Sequence, residues 1–145
     1  MTDQPRIAGG IGADDPFWDA LERRDFVAPK CTSCNQWMWP AHYRCGKCGS
    51  WDIGWERIEA AGTLYTWTRN HAVSEAVKER RDDTPFVTLL IELPQAGLIR
   101  IPGVLEGDED GLAIGAQLSG RIRPGDEKSK GYATMVWSLA RGAVE

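Results

Sequence analysis

No stretch of this 145-residue chain approaches the roughly 18 consecutive apolar residues of a membrane-spanning helix, so no spanning helix is expected. The opening "MTDQPRIAGGIGADDP" has neither a basic start nor an apolar segment. It does not read as a secretory signal, and the expected compartment is the cytoplasm, where thiols stay reduced. Positive charge is not in excess: 17 Lys and Arg face 21 Asp and Glu, a net charge of −4 with no basic half. A surface that tracks phosphates carries a basic stripe, and this chain lacks one, which disfavours nucleic acid as a partner. Catalytic signatures are missing too. There is no Gly-x-Ser-x-Gly, P-loop or dinucleotide fingerprint, and the acidic run "EGDED" (106–110) fails the spacing of a calcium loop. The histidines, His42 and His71, lie far apart in the sequence and read as surface or hydrogen-bonding residues. No catalytic residue is assigned.

The cysteines are few but ordered. "CTSCNQWMWPAHYRCGKCG" (31–49) places Cys31 and Cys34, then Cys45 and Cys48, as two pairs with two residues inside each and ten between them. Three chemistries compete for such a set. Two disulfides are disfavoured by the compartment, and a thiol–disulfide redox centre needs one pair rather than two. Two close pairs are the spacing of a zinc ribbon, where four thiolates surround a tetrahedral ion. Each pair must fold into a tight knuckle whose following residue favours positive φ, and Asn35 and Gly49 occupy those positions. Four protein ligands leave no coordination position for water, so the zinc is expected to be structural. No cysteine remains outside the set to serve as a nucleophile.

Along the chain, residues 1–13 read as a flexible leader. Residues 14–29 hold an N-terminal helix, in which Asp15 caps, Pro16 takes the first helical position, and Phe17, Trp18 and Leu21 form one apolar face. The helix is expected to end near Arg24 or Asp25. Residues 30–56 form the zinc ribbon. From residue 57 to 145 the pattern is β: a run around "LYTWTRN", then "PFVTLLIEL", "LIRIPGVLEG", "AQLSGRIRP" and "YATMVWSLA", with turn residues between them. "SEAVKERRDD" is expected to be a short helix or a mobile loop. Five strands in that length suit a five-stranded OB-fold barrel, and Gly62 and Gly120 fall inside strands that such a barrel bends sharply. The expected architecture is mainly β: a helix, a rubredoxin-like zinc ribbon, then an OB-fold barrel.

The order of these features resembles the acyl-CoA-associated zinc-ribbon/OB-fold family, once a domain of unknown function. Phe17, Trp18, Cys31, Cys34, Pro40, Cys45, Cys48, Gly49, Gly62, Tyr65 and His71 fit its pattern, and the likeness runs over about residues 15 to 140. Asn35 stands where a glycine is usual. The resemblance implies a non-catalytic, heteromeric accessory subunit of a thiolase-superfamily enzyme, a thiolase or retro-aldolase that makes or cleaves carbon–carbon bonds in acyl-CoA thioesters. It also implies contact with acyl-CoA. Tyr65 and Trp67 are the candidates for stacking on the adenine, and Arg69 and Arg100, with Arg121 and Arg123, for its phosphates. Phe17, Trp18, Trp37 and Trp39 are the candidates for the interface with the catalytic subunit. A single-stranded nucleic-acid-binding ribbon/OB protein is the alternative.

Overall fold

Two adjacent aspartates compete to start the first helix, and the tertiary contacts decide between them. In the computed structural model, which describes residues 6, 7 and 9–140, helix α1 spans Asp15–Glu22 with Asp14, not Asp15, at the N-cap. The Asp14 carboxylate caps no backbone amide; it accepts a hydrogen bond from the Trp18 indole at 2.9 Å instead. The helix ends earlier than expected because Arg24 turns left-handed at φ 67°. Asp25 N then donates to Ala20 O at 2.8 Å and Arg24 N to Leu21 O at 3.0 Å, a Schellman closure that satisfies the last carbonyls. Phe17, Ala20 and Leu21 are buried along the inner face.

Strand β1 (Val27–Cys31) pairs antiparallel with β2 (Ile53–Arg57), bringing Cys31 opposite Ile53. The cysteine segment is the excursion between these strands. Strands β3 (Ala61–Asn70), β4 (Phe86–Leu93), β5 (Ile99–Leu105), β6 (Gln117–Arg123) and β7 (Thr134–Leu139) follow. They close into a barrel in the order β3-β4-β5-β7-β6, with β5 and β7 parallel and the remaining pairs antiparallel. The expected fold is thus found: mainly strand, with an N-terminal helix, a ribbon and a closed five-stranded barrel. In place of a helix or loop at "SEAVKERRDD", Glu75–Asp83 forms 3-10 turns interrupted at Val77, with no buried residue to hold them as an α-helix. No helix among the described residues is long and apolar enough to cross a membrane.

β4 alternates strictly, with Val87, Leu89, Ile91 and Leu93 pointing inward. They surround Trp137, which is fully buried. The indole is accommodated by missing side chains on two neighbours. A Cβ on Gly103 would lie 2.6 Å from Trp137 Cδ1, and one on Gly120 would lie 2.9 Å from its Cζ3. Gly62, the other glycine expected in a bent strand, gives the same kind of room to Ile91. Phe17, Leu21, Phe26 and Ala28 join this cluster, and the rings of Phe26 and Trp137 meet edge to face at 5.8 Å. One apolar core therefore runs from α1 and the base of the ribbon into the barrel.

The expected leader falls partly on residues 1–5 and 8, which lie outside the described residues. Within its described part, Arg6 pairs with Asp19 and Glu22, its carbonyl accepts from Tyr132 Oη, and Ala13 is buried.

Candidate metal centre and barrel cleft

Both cysteine pairs sit in matching turns. Asn35 N donates to Cys31 O and Gly49 N to Cys45 O, each at 2.9 Å, and both donors have positive φ (64° and 80°) as their residue types suggested. Cys31 N donates to Gln36 O and Cys45 N to Ser50 O, both at 2.8 Å, so each first cysteine is pinned from both sides. Four sulfurs converge within 4.8 Å of one another. Cys31 and Cys48 are 3.6 Å apart, and Cys34 and Cys45 are 3.7 Å apart.

Those separations discriminate between the chemistries. A disulfide needs about 2.05 Å. Thiolates at about 2.3 Å from a tetrahedral ion lie about 3.75 Å from each other, close to the Cys31–Cys48 and Cys34–Cys45 separations. The four cysteines are a metal-binding arrangement.

The protons follow the same geometry. Backbone amides of Cys48 and Lys47 donate toward Cys45, bringing its thiol down to about 6 against the opposing effect of burial. Backbone donation from Cys34 likewise lowers Cys31. At Cys48 the backbone contact with Ser50 pulls down, but burial and the three neighbouring sulfurs outweigh it and push the thiol up to about 11. Both histidines are exposed and neither belongs to the sulfur cluster.

The residues proposed to touch CoA do not assemble one site. The Arg100 guanidinium sits over one face of the Tyr65 ring at 3.7 Å and also bonds Glu92 at 3.1 Å, so the two residues are engaged with each other. Trp67 is partly buried against the barrel core. Arg69 pairs with Glu109, Arg121 with Glu106, and Arg123 with Asp126. Their carboxylate partners, far off in sequence for Arg69 and Arg121, were invisible to a reading of strand alternation.

The aromatics proposed for docking are also occupied within the chain. Phe17, a candidate for the partner surface, is buried in the core of this chain, where its ring contacts Trp18, Phe26 and Trp39. Trp18 leans on Tyr132. Trp37 is wedged on the β4–β5 turn, where a Cβ on Gly97 (φ 66°) would lie 2.7 Å from its Cδ1, and Lys30 covers the ring at 4.9 Å. Trp37 and Trp39 are half-buried against the core. The ribbon aromatics that do face solvent are Tyr43 and Trp51, and Arg44 stacks on the latter.

A cleft of about 750 Å³ opens where α1 and the ribbon meet the barrel, and the sequence reading missed it. Phe17, Trp18 and Trp39 form one wall, β4, β5 and β7 the floor, and the 3-10 segment and the β6–β7 loop the rim. The second and third strands of an OB barrel, with the loops after its first and fourth strands, commonly carry its ligand face, a signal that could have pointed here.

The likeness seen in the motifs is borne out by known proteins. Residues 18–52 match the model of the ChsH2 rubredoxin-like zinc ribbon domain. Among solved structures, a chain of the Ltp2-ChsH2(DUF35) aldolase superposes with a TM-score of 0.74 at 22% identity, over 94% of this chain and 98% of that one. A protein of unknown function from the DUF35 family of Sulfolobus solfataricus gives 0.56 at 17% identity, over 88% and 85% of the two chains. No curated protein sequence matches.

Proposed function

We propose that this chain is a ChsH2-type accessory subunit of a thiolase-like aldolase acting on acyl-CoA thioesters in the cytoplasm. The observation that carries the reading is its superposition along almost the whole of a chain from an enzyme named as a Ltp2-ChsH2 aldolase, with the ribbon model matching across the cysteines. In this reading Cys31, Cys34, Cys45 and Cys48 hold a zinc ion. Bound there by four thiolates, zinc supplies structural cross-linking and no open coordination site. In this reading the four cysteines are metal ligands rather than nucleophiles, and the aldol cleavage is carried out by the partner. This chain supports that partner's assembly. A CoA contact at Tyr65 and Arg100 would require their stacked pair to open.

Co-purification from the native host tests the assignment. The expected result is a thiolase-fold chain in stoichiometric association, with acyl-CoA cleavage by the complex and none by this chain alone. Recovery of the chain without a partner, or turnover by the isolated chain, would overturn it.

Zinc binding should depend on pH in a defined direction. With the Cys45 thiol drawn down to about 6 by backbone donors and the Cys48 thiol pushed up to about 11, the incoming ion must expel at least the Cys48 proton near neutral pH. Below about 6 the Cys45 proton must be expelled as well. Affinity is therefore expected to fall on acidification, by about a hundredfold or more from roughly pH 7.5 to 5.5, at tenfold per pH unit for each proton expelled. Competition with a chromophoric chelator would measure it, and proton release on zinc addition would be seen in weakly buffered solution.

A further inference from the structure

The lining of the cleft described above carries four cations and four carboxylates, a balance of zero on a chain whose net charge is −4. Its rim carries four cations, Arg80, Arg123, Lys128 and Lys130. Two rim carboxylates serve them: Asp83 faces both Arg80 and Lys128, and Asp126 takes Arg123. The other two acids of the lining, Glu106 and Glu109, are matched by Arg121 and Arg69, which lie outside the cleft. With Glu106 and Glu109 engaged by arginines outside the cleft, the four rim cations share two rim carboxylates, a local cationic excess beside which the Glu79 carboxylate also keeps one oxygen buried without a partner.

That excess resides in two side chains. Lys130 Nζ donates to the Ala76 carbonyl at 2.7 Å and has no carboxylate partner among the described residues. Arg80 stacks on Phe86 at 4.6 Å, sits 3.8 Å from Asp83, and keeps its Nε out of solvent with no acceptor. A buried N–H left without an acceptor is costly and is ordinarily filled by water or a ligand. Between these groups and the floor, the lining is apolar or aromatic: Trp18, Trp39, Pro85, Ile101, Val104 and Met135. The size lies in the range of small-molecule sites, and an apolar floor with a few convergent polar groups is how such sites are built. The rim is also braced. Lys128 reaches Asp83 and Lys130 reaches Ala76, so the β6–β7 loop is tied across the mouth to the 3-10 segment.

We propose that this cleft binds a small amphipathic anion: an apolar chain or ring system bearing one carboxylate or phosphate, whose charged end meets Arg80 and Lys130. The assignment is independent of the accessory-subunit reading, since it concerns the isolated chain and needs no partner.

Calorimetric titration of the full-length, zinc-loaded chain with dodecanoate, dodecyl phosphate and dodecyltrimethylammonium tests it. Saturable binding of an anionic probe at one site is expected, with Kd on the order of 100 μM, in keeping with about −0.4 kcal/mol per non-hydrogen atom. The preferred anion identifies the head group. The cationic probe should bind at least about tenfold more weakly, and Lys130→Gln and Arg80→Gln should each weaken the anion by about tenfold, the scale of a lost charge-assisted hydrogen bond. Val104→Trp, which fills the floor, should abolish binding while zinc content and melting temperature report an intact fold. Contact can be read separately, because 11-bromoundecanoate should quench tryptophan emission less in Trp39→Phe than in the parent. Absence of saturable binding by either anion would overturn the proposal, as would equal affinity for the cationic probe. So would anion binding unchanged by all three cleft substitutions.

Discussion

Cys45→Ser is expected to remove the metal and much of the ribbon's structure with it. The substitution deletes one of four thiolates and leaves a hydroxyl that does not ionise at neutral pH. Cys45 is nearly fully buried, its amide is bonded to Ser50 and its carbonyl to Gly49, so the sulfur cannot be replaced by a neighbour. The buried cluster it belongs to contains only Cys31 and Met38 besides, with Cys34 and Ile53 packed against them. Apart from Trp37 and Trp39, which pack on the main core, this small cluster is the buried apolar support for the 21-residue excursion 32–52. Structural zinc sites contribute apparent binding free energies of about 10–16 kcal/mol, comparable to the whole stability of a domain. Metal analysis should fall from about one ion per chain to about none, and ring-current-shifted methyl signals around Phe17 and Trp39 should collapse. The melting temperature should drop by 10 °C or more, given about 3 °C per kcal/mol for a domain of this size. Ser33→Ala, which removes only the exposed bond to Ser50, should leave zinc content unchanged. A Cys45→Ser chain that still bound one zinc with an unaltered melt would show that the metal does not organise the ribbon.

Trp137→Ala is expected to destabilise the barrel by about 3–5 kcal/mol, the usual range for truncating a buried aromatic. The indole is fully buried and its N–H meets no acceptor, so its contribution comes from packing rather than hydrogen bonding. Gly103 and Gly120 are shaped around it and cannot collapse into the space, because neither has a side chain to offer. Phe26 would lose its ring partner as well, which couples the deletion to the ribbon side of the core. Urea unfolding followed by circular dichroism would give the change directly. A loss below about 1 kcal/mol would mean that the centre of the barrel lies elsewhere.

The metal centre was the most legible part of the sequence because its information is local. Two cysteine pairs, each followed by a residue that tolerates positive φ, specify two turns without help from the rest of the chain. Strand alternation was equally local: Val87, Leu89, Ile91 and Leu93 point inward as the pattern of "PFVTLLIEL" requires. Features decided by tertiary packing were not legible. The helix cap moved to Asp14, whose carboxylate went to Trp18. Phe17 was placed on an apolar face, but which segments cover it, Phe26 and Trp39, was not readable from the helix alone. Arg69 and Arg121 looked available for phosphates until the acidic turn after β5 supplied Glu109 and Glu106. The cleft draws its walls from Phe17 to Val136, nearly the full span of the chain, so no window of sequence contained it.

The aromatic wall of that cleft ties its shape to the cysteine cluster. Trp39 stands between the two cysteine pairs, and Phe17 packs against it at 4.9 Å, so the barrel's opening is propped by a segment whose order the proposed ion maintains. Losing the proposed ion is therefore expected to loosen the ribbon and this wall together, so the cross-link and the cavity would fail as one unit.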